Sequence, residues 1–286
     1  MTATDPNASL RITEPQAEPA PVVFDSPHSG TDYPDDFGTI APLSILRRSE
    51  DAFVDELFAA APRHGAPLIA ARFPRIYIDP NRDLTDLDPA MLDGAWPDPL
   101  VPSRKTELGV GLVWRIMPPD SRLYDRLLSV AEVRTRIERC WKPYHHAVAT
   151  AIDQTHRRFG KVWHVNCHSM PAMGNAASED GPVPRAEFVL GDRDGTTCEA
   201  DFTAFVAGAL RDMGYDVKIN EPYKGVELVR RYSDPARGRH SLQLEINRKL
   251  YMDEARIEKS GGFAQVQADM GKLAAAICRY ARERTR

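Results

Sequence analysis

Residues 22–37, VVFDSPHSGTDYPDDF, place a histidine directly behind a short apolar run. Val22, Val23 and Phe24 are of strand type and Ser26-Pro27 ends the run, so the pattern predicts a buried strand with His28 at its C-terminal edge. From Leu43 to about Arg63, the apolar residues Leu43, Leu46, Phe53, Val54, Leu57 and Phe58 recur at helical spacing, interrupted by the polar quartet Arg47-Arg48-Ser49-Glu50. A strand followed by a helix is a βα unit. In open α/β sheets ligands bind at the C-terminal strand edge, which is where His28 falls.

The same alternation continues down the chain. PLIAARFPRIYIDPNRD offers two short apolar runs, Leu68–Ala71 and Ile76–Ile78, expected as adjacent strands. Residues 81–120 are rich in Asp, Pro and Gly and read as a long loop, of the kind that covers a site or is disordered. Leu123 to Phe159 is helical in pattern, with an expected stop or kink at Lys142-Pro143. KVWHVNCHS then gives a buried strand through Val162, Trp163, Val165 and Cys167, and it too runs into a histidine, His168. Further strands are expected at Glu187–Leu190, Tyr215–Ile219 and Ser241–Ile246, and helices near Thr197–Met213 and Gly262–Arg282. Interleaved strands and helices predict an α/β fold, a three-layer α/β/α sandwich in one domain over residues 21–286. Residues 1–20, rich in Pro, Ala, Thr and Glu, read as a mobile leader.

Composition excludes several classes. The 286 residues are 42% hydrophobic, ordinary for a soluble globular chain, and the net charge of −4 is spread without a basic patch, so no nucleic-acid partner is expected. No apolar run approaches the roughly 20 residues needed to cross a bilayer, and the N-terminus has neither the basic nor the apolar region of a secretory signal, which predicts a cytoplasmic protein with no membrane partner. Cys140, Cys167, Cys198 and Cys278 are widely spaced, as suits reduced thiols rather than disulfides or a thiolate metal site.

Four distant segments end in polar residues at strand ends: His28, Asp79-Pro80-Asn81-Arg82, His168, and Glu245 within LQLEIN. A carboxylate in an apolar strand requires a cation or a metal-linked role, since burial without a partner costs several kcal/mol. Two strand-edge histidines and a carboxylate would hold Zn²⁺ with one position open, and a second carboxylate would serve as general base. The third ligand is open among Asp32, Glu50 and Asp51. Asp51 is favoured because it falls early in the amphipathic helix beside Phe53 and Val54. His145 and His146 are neighbours on a helix and cannot form a tight pair; they are expected to be core and helix surface. His64, His156 and His240 are expected to be structural, and His164, on the same strand face as His168 but about 13 Å away by strand rise, is too far to share a metal.

PHSG with His28, Glu50-Asp51 followed by VDEL, IDPNRD, the strand ending in His168-Ser169, YKGVELVRRY and LQLEINRKLYMDE together resemble the N-formylglutamate amidohydrolase family, from about residue 21 to 283. The resemblance implies a phosphorylase/hydrolase-like three-layer fold with a mixed central sheet, shared with zinc-dependent exopeptidases and aspartoacylase-like hydrolases. It implies zinc at His28, Asp51 and His168 with Glu245 as catalytic carboxylate, although the HxxE spacing of the wider group is absent. Asp79-Pro80-Asn81-Arg82 matches the Asp-x-Asn-Arg motif that binds a substrate carboxylate in aspartoacylase-like members.

The implied reaction is hydrolysis of N-formyl-L-glutamate to formate and L-glutamate, a step of histidine degradation. Zn²⁺ and Arg75 are the candidates for stabilising the tetrahedral oxyanion. A substrate with two carboxylates needs at least two cationic anchors; Asn81 and Arg82 would take one, and Lys224 and Arg230 the other, with Arg231 pointing away if its segment is extended. The alternatives are a zinc hydrolase of another N-acyl amino acid or short peptide, and a non-catalytic binder of an acidic metabolite on the same fold.

Overall fold

The computed structural model describes residues 9–175, 178 and 180–285. Its strands are β1 (Leu10–Thr13), β2 (Val22–Ser26), β3 (Leu68–Ala71), a small hairpin of β4 (Ile116–Met117) and β5 (Ser121–Arg122), then β6 (Val162–Met170), β7 (Phe188–Gly191), β8 (Val217–Ile219), β9 (Arg239–Asn247), and a second hairpin of β10 (Met252–Asp253) and β11 (Glu258–Lys259). The α-helices are α1 (Leu43–Leu46), α2 (Val54–Leu57), α3 (Arg104–Glu107), α4 (Val130–Arg136), α5 (Lys142–Phe159), α6 (Ala200–Asp212), α7 (Glu227–Tyr232) and α8 (Phe263–Glu283). The central sheet has the order β1-β3-β2-β6-β9-β7-β8. It is mixed: β2, β6 and β9 run parallel, while β7 pairs antiparallel with β9 and parallel with β8. No described helix is long and apolar enough to cross a membrane.

The described chain groups into two compact units drawn from interleaved segments. One takes Ile12–Ser26, Asp51–Ile69 and Val148 onward. Its core lies on one face of the sheet, where Val22, Phe24, Trp163, Val165, Cys167, Leu242, Leu244 and Ile246 meet α2, α6 and α8. The spacing of Val266, Met270, Leu273, Ala274, Ile277, Cys278 and Ala281 along α8 gives a helix one continuous apolar stripe, and all seven are buried. Each large aliphatic side chain so buried contributes about 1.5–3 kcal/mol. On the opposite face, α7 lies against β6 and β9.

The other unit takes the residues through Arg11, Pro27–Glu50 and Ala70–Ala147. It contains Arg136, a fully buried guanidinium. Such a charge is tolerated when most of its donors are used, and here both terminal nitrogens are, while Nε has no partner among the described residues. Arg136 donates to the Tyr77 carbonyl (3.1 Å), the Phe37 carbonyl (3.1 Å), the Tyr124 hydroxyl (2.7 Å) and Glu132 (2.6 Å), and its guanidinium carbon sits 4.3 Å from the Tyr77 ring centroid.

Several expectations from sequence are corrected. The expected helix over 43–63 is broken into α1, α2 and 3₁₀ turns, because Glu50 is extended (ψ 140°) and Phe53 takes a left-handed φ of 66°. Asp51 therefore lies in the break between turns rather than on a helix. Ile76–Ile78 is a buried turn, not a strand, closed by the Tyr77 N–H donating to the Pro74 carbonyl. Residues 9–20 are not a loose leader: β1 extends the sheet, and the Gln16 and Ala20 amides donate to Pro62 and Gly65 carbonyls. The first eight residues lie outside the described ones. Helix continues through Lys142-Pro143, because the preceding turn, Ile137–Trp141, is a π turn that has already shifted the hydrogen-bond ladder. The 81–120 segment is ordered, with Leu87, Leu92, Leu112 and Val113 buried and Asp86 accepting from Ser103 and Thr106.

Candidate active site and metal-binding group

The site begins in the pleat of β6. Odd positions Trp163, Val165 and Cys167 enter the core, so even positions His164, Asn166 and His168 share the other face. In β9 the apolar Leu242, Leu244 and Ile246 likewise leave Ser241, Gln243, Glu245 and Asn247 on that face. Glu245 is thus one of a polar row, not a lone carboxylate in an apolar strand. Parallel register puts His164 opposite Ser241, Asn166 opposite Gln243 and His168 opposite Glu245, while Asp25 of β2 stands opposite Asn166.

These side chains are joined. The Ser241 hydroxyl and His164 Nδ1 are 2.7 Å apart, His164 Nε2 lies 2.9 Å from Asp25 Oδ1, and Asn166 Nδ2 donates to that same oxygen at 2.8 Å. With its amide nitrogen committed to Asp25, Asn166 turns Oδ1 to accept from His168 Nε2 at 2.7 Å. A neutral imidazole that donates from Nε2 keeps its lone pair on Nδ1. His168 Nδ1 faces Asp51 Oδ2 at 3.0 Å, and Arg248 holds the other oxygen of Asp51 at 3.0 Å while also donating to Ser169 at 3.1 Å. Glu50 is occupied elsewhere, accepting from Tyr33 (2.7 Å) and Arg47 (3.3 Å), and Asp32 pairs with Arg72 at 2.7 Å on the surface.

His28 is fixed in a comparable way. Gly30 lets the PHSG turn approach the end of β3 closely, since a Cβ there would meet the Phe73 carbonyl oxygen at 2.3 Å. His28 Nε2 lies 2.8 Å from Asp79 Oδ1, which also accepts from the Asn81 amide at 2.8 Å. Arg75 grips Asp79 Oδ2 through Nε (3.1 Å) and Nη2 (2.7 Å), and its guanidinium lies 5.1 Å from the Trp114 ring centroid. Burial alone would push the Asp79 carboxyl up, but Arg75, His28 and Arg82 outweigh it and hold it well below the usual carboxylate range. Asp79 is therefore ionised and accepts the His28 Nε2 proton, which puts the ring's lone pair on Nδ1.

Candidate ligand atoms of His28, Asp51 and His168 all lie within 4.8 Å of one another, and the three residues are buried. Two imidazoles and a carboxylate, each oriented by a second partner, form a donor set fitted to a divalent metal ion. Glu245 is buried next to His168 in the register and accepts from Gln243 at 2.9 Å. Its charge reaches Arg185 and Tyr223, which stack at 5.2 Å.

The proposed carboxylate anchors are placed differently from one another. Asn81 and Arg82 are buried beside Asp79, with Arg82 donating to the carbonyls of Asn81 (2.9 Å) and Val110 (3.2 Å). Lys224 is exposed and pairs with Asp194 at 2.9 Å. Arg230 and Arg231 lie on α7, a helix rather than an extended segment, so spacings of three and four residues bring both onto Glu227. Arg248, Asp25, Asn166 and the role of Asp79 were missed from sequence. The signal for the first strand was present in the polar parity of His164, Asn166 and His168; no local signal marks Arg248.

Residues 20–252 match the model of the N-formylglutamate amidohydrolase family. The chain belongs to that family. It is 28% identical over 238 residues to the N-formylglutamate deformylase of Pseudomonas putida, covering 82% of each chain. The crystal structure of N-formylglutamate amidohydrolase from Ralstonia eutropha JMP134 superposes with a TM-score of 0.92 at 50% identity, covering 96% of this chain and 99% of that one. Gene product Atu2144 from Agrobacterium tumefaciens shares the fold, with a TM-score of 0.66 at 19% identity and 96% of each chain covered.

Proposed function

We propose that this chain hydrolyses N-formyl-L-glutamate to formate and L-glutamate. The observation that carries the reading is the family match over residues 20–252, a span that includes His28, Asp51, His168 and Glu245. The likeness to the Ralstonia eutropha N-formylglutamate amidohydrolase, over nearly the whole of both chains, supports the substrate.

In this reading His28, Asp51 and His168 hold Zn²⁺, which supplies Lewis-acid polarisation and acidifies water towards a pKa of about 7. Glu245 takes the proton of the attacking water as the new C–O bond forms at the formyl carbon, and returns it to the glutamate nitrogen as the C–N bond breaks. Arg75, steered by Asp79 and braced on Trp114, faces the tetrahedral oxyanion, a contribution of about 3–4 kcal/mol for such a donor. Asn81 and Arg82 take one substrate carboxylate, with the buried guanidinium suited to a planar, bidentate contact. Lys224 and Arg230 take the second, exchanging Asp194 and Glu227 for the substrate.

Formate release from purified protein, with elemental analysis of the same sample, tests the reading. N-formyl-L-glutamate should be cleaved well ahead of N-acetyl-L-glutamate and N-formyl-L-leucine, with about one zinc per chain. Preference for an N-acetyl or peptide substrate would overturn the substrate assignment, and full activity after exhaustive chelation would overturn the metal.

A further inference from the structure

Residues 77–82 form no strand, yet they are buried, so their carbonyls need donors from elsewhere. One helical run supplies three of them. Arg136 donates to the Tyr77 carbonyl at 3.1 Å, Trp141 Nε1 to the Arg82 carbonyl at 3.0 Å, and His145 Nε2 to the Pro80 carbonyl at 2.8 Å. Trp141 and His145 stack face to face, with centroids 3.6 Å apart and planes 17° from parallel, and their two donors bracket Asn81.

A straight α-helix could not present this set. Five residues advance an α-helix by about 500°, which would leave Trp141 roughly 140° away from Arg136. The run from Ile137 to Trp141 is instead a π turn, in which the Lys142 amide donates to the Ile137 carbonyl. Closing the turn over five residues brings Trp141 back towards the Arg136 side, and the following four-residue α step keeps His145 beside it.

We infer that Trp141 and His145 are positioning residues for the substrate-binding loop, and that the π turn exists to aim them at the Pro80 and Arg82 carbonyls on either side of Asn81. The inference rests on the reading of Asn81 and Arg82 as carboxylate anchors. A helix donor on each side of Asn81 fixes the loop backbone, and with it the direction in which the Asn81 and Arg82 side chains leave the loop. His145 is thus neither helix surface nor a metal ligand.

The test compares His145→Phe and Trp141→Phe, which keep a ring and lose the donor, with His145→Gln, whose amide still donates, and with Arg82→Ala as reference. In samples matched for melting temperature and bound metal, each Phe variant should raise KM for N-formyl-L-glutamate roughly tenfold with kcat within about twofold, the split expected when ground-state anchoring is lost. His145→Gln should recover most of the loss. Combining His145→Phe with Arg82→Ala should add little to Arg82→Ala alone, since both act through one contact. If Arg82→Ala raises KM while both Phe variants keep the parent value, the positioning role is wrong and the anchor stands. Should Arg82→Ala leave KM unchanged, the anchor falls, and hydrogen exchange over residues 77–83 decides the clamp: faster exchange in the Phe variants supports it, parental exchange overturns it. A Phe variant that fails to fold is replaced in the comparison by the other, and by His145→Gln against Arg82→Ala.

Discussion

His168 on β6 and Glu245 on β9 are direct register partners in a parallel pair, so their side chains leave the same face of the sheet one strand apart. The proposed base is thereby carried by the strand next to a proposed metal ligand, at a separation set by backbone hydrogen bonding and not by a loop.

Replacing Glu245 by Gln keeps the shape and the Gln243 contact site while removing the base. We expect kcat to fall by about 10²–10⁴ with metal content unchanged, the range for a general acid–base residue. Single-turnover assay alongside elemental analysis checks this; near-parental turnover with metal in place would remove Glu245 from the reaction.

Asp51 and Glu50 separate cleanly. Asp51→Asn should weaken metal retention strongly, because its carboxylate faces His168 and is held by Arg248, whereas Glu50→Gln should retain the metal because Glu50 faces Tyr33 and Arg47. A chelator-competition titration giving the reverse order would move the ligand to Glu50.

Asp25 acts at a distance. Asp25→Ala takes away the acceptor shared by His164 and Asn166, so the Asn166 amide is no longer fixed with Oδ1 towards His168. Metal affinity should drop by about 10–100-fold, the usual effect of losing an outer-shell partner. Unchanged affinity would mean that Asn166 orients His168 without help.

The cysteines should be silent. All four are buried, and burial pushes the Cys140 and Cys278 thiols up to about 12 and raises those of Cys167 and Cys198 as well. Titration with a thiol-reactive dye at pH 8 should count none in the native protein and all four in guanidinium. Rapid labelling of a native thiol would contradict the packing around it.

Much of this arrangement is legible in the sequence because local signals coincide with it. The apolar runs that become β2, β3, β6 and β9 are bounded by turn residues, and His28 and His168 fall where those runs meet the site. The helical periods of α6 and α8 are long enough to dominate their windows. Other features depend on partners far away in the chain. The apolar positions of 43–63 fit a helix, but the backbone turns left-handed at Phe53, and periodicity does not register such a break. Ile76–Ile78 looks like a strand because it is apolar, yet its central carbonyl, that of Tyr77, is claimed by the Arg136 side chain. The Asp25–Asn166–His168 chain requires β2 and β6 to be neighbours, and 135 residues separate the end of one from the start of the other. Parity along β6 hints at that row, but only the strand order says what meets it.

For laboratory evolution, the alternating faces of β6 and β9 sort codons into two sets. Changes at Val165, Cys167 or Leu244 should enter through the melting curve, because those side chains fill the core, while on the proposed mechanism changes at Asn166 or Gln243 should enter through turnover. One deleted codon between Val162 and His168 would keep the reading frame yet reverse the facing of every residue on one side of the deletion, turning core side chains such as Trp163 or Cys167 towards the site and polar ones towards the core. The strand should therefore accept many point substitutions and no in-frame deletion, and a deep mutational scan would display that contrast as a sharp gap at these seven positions.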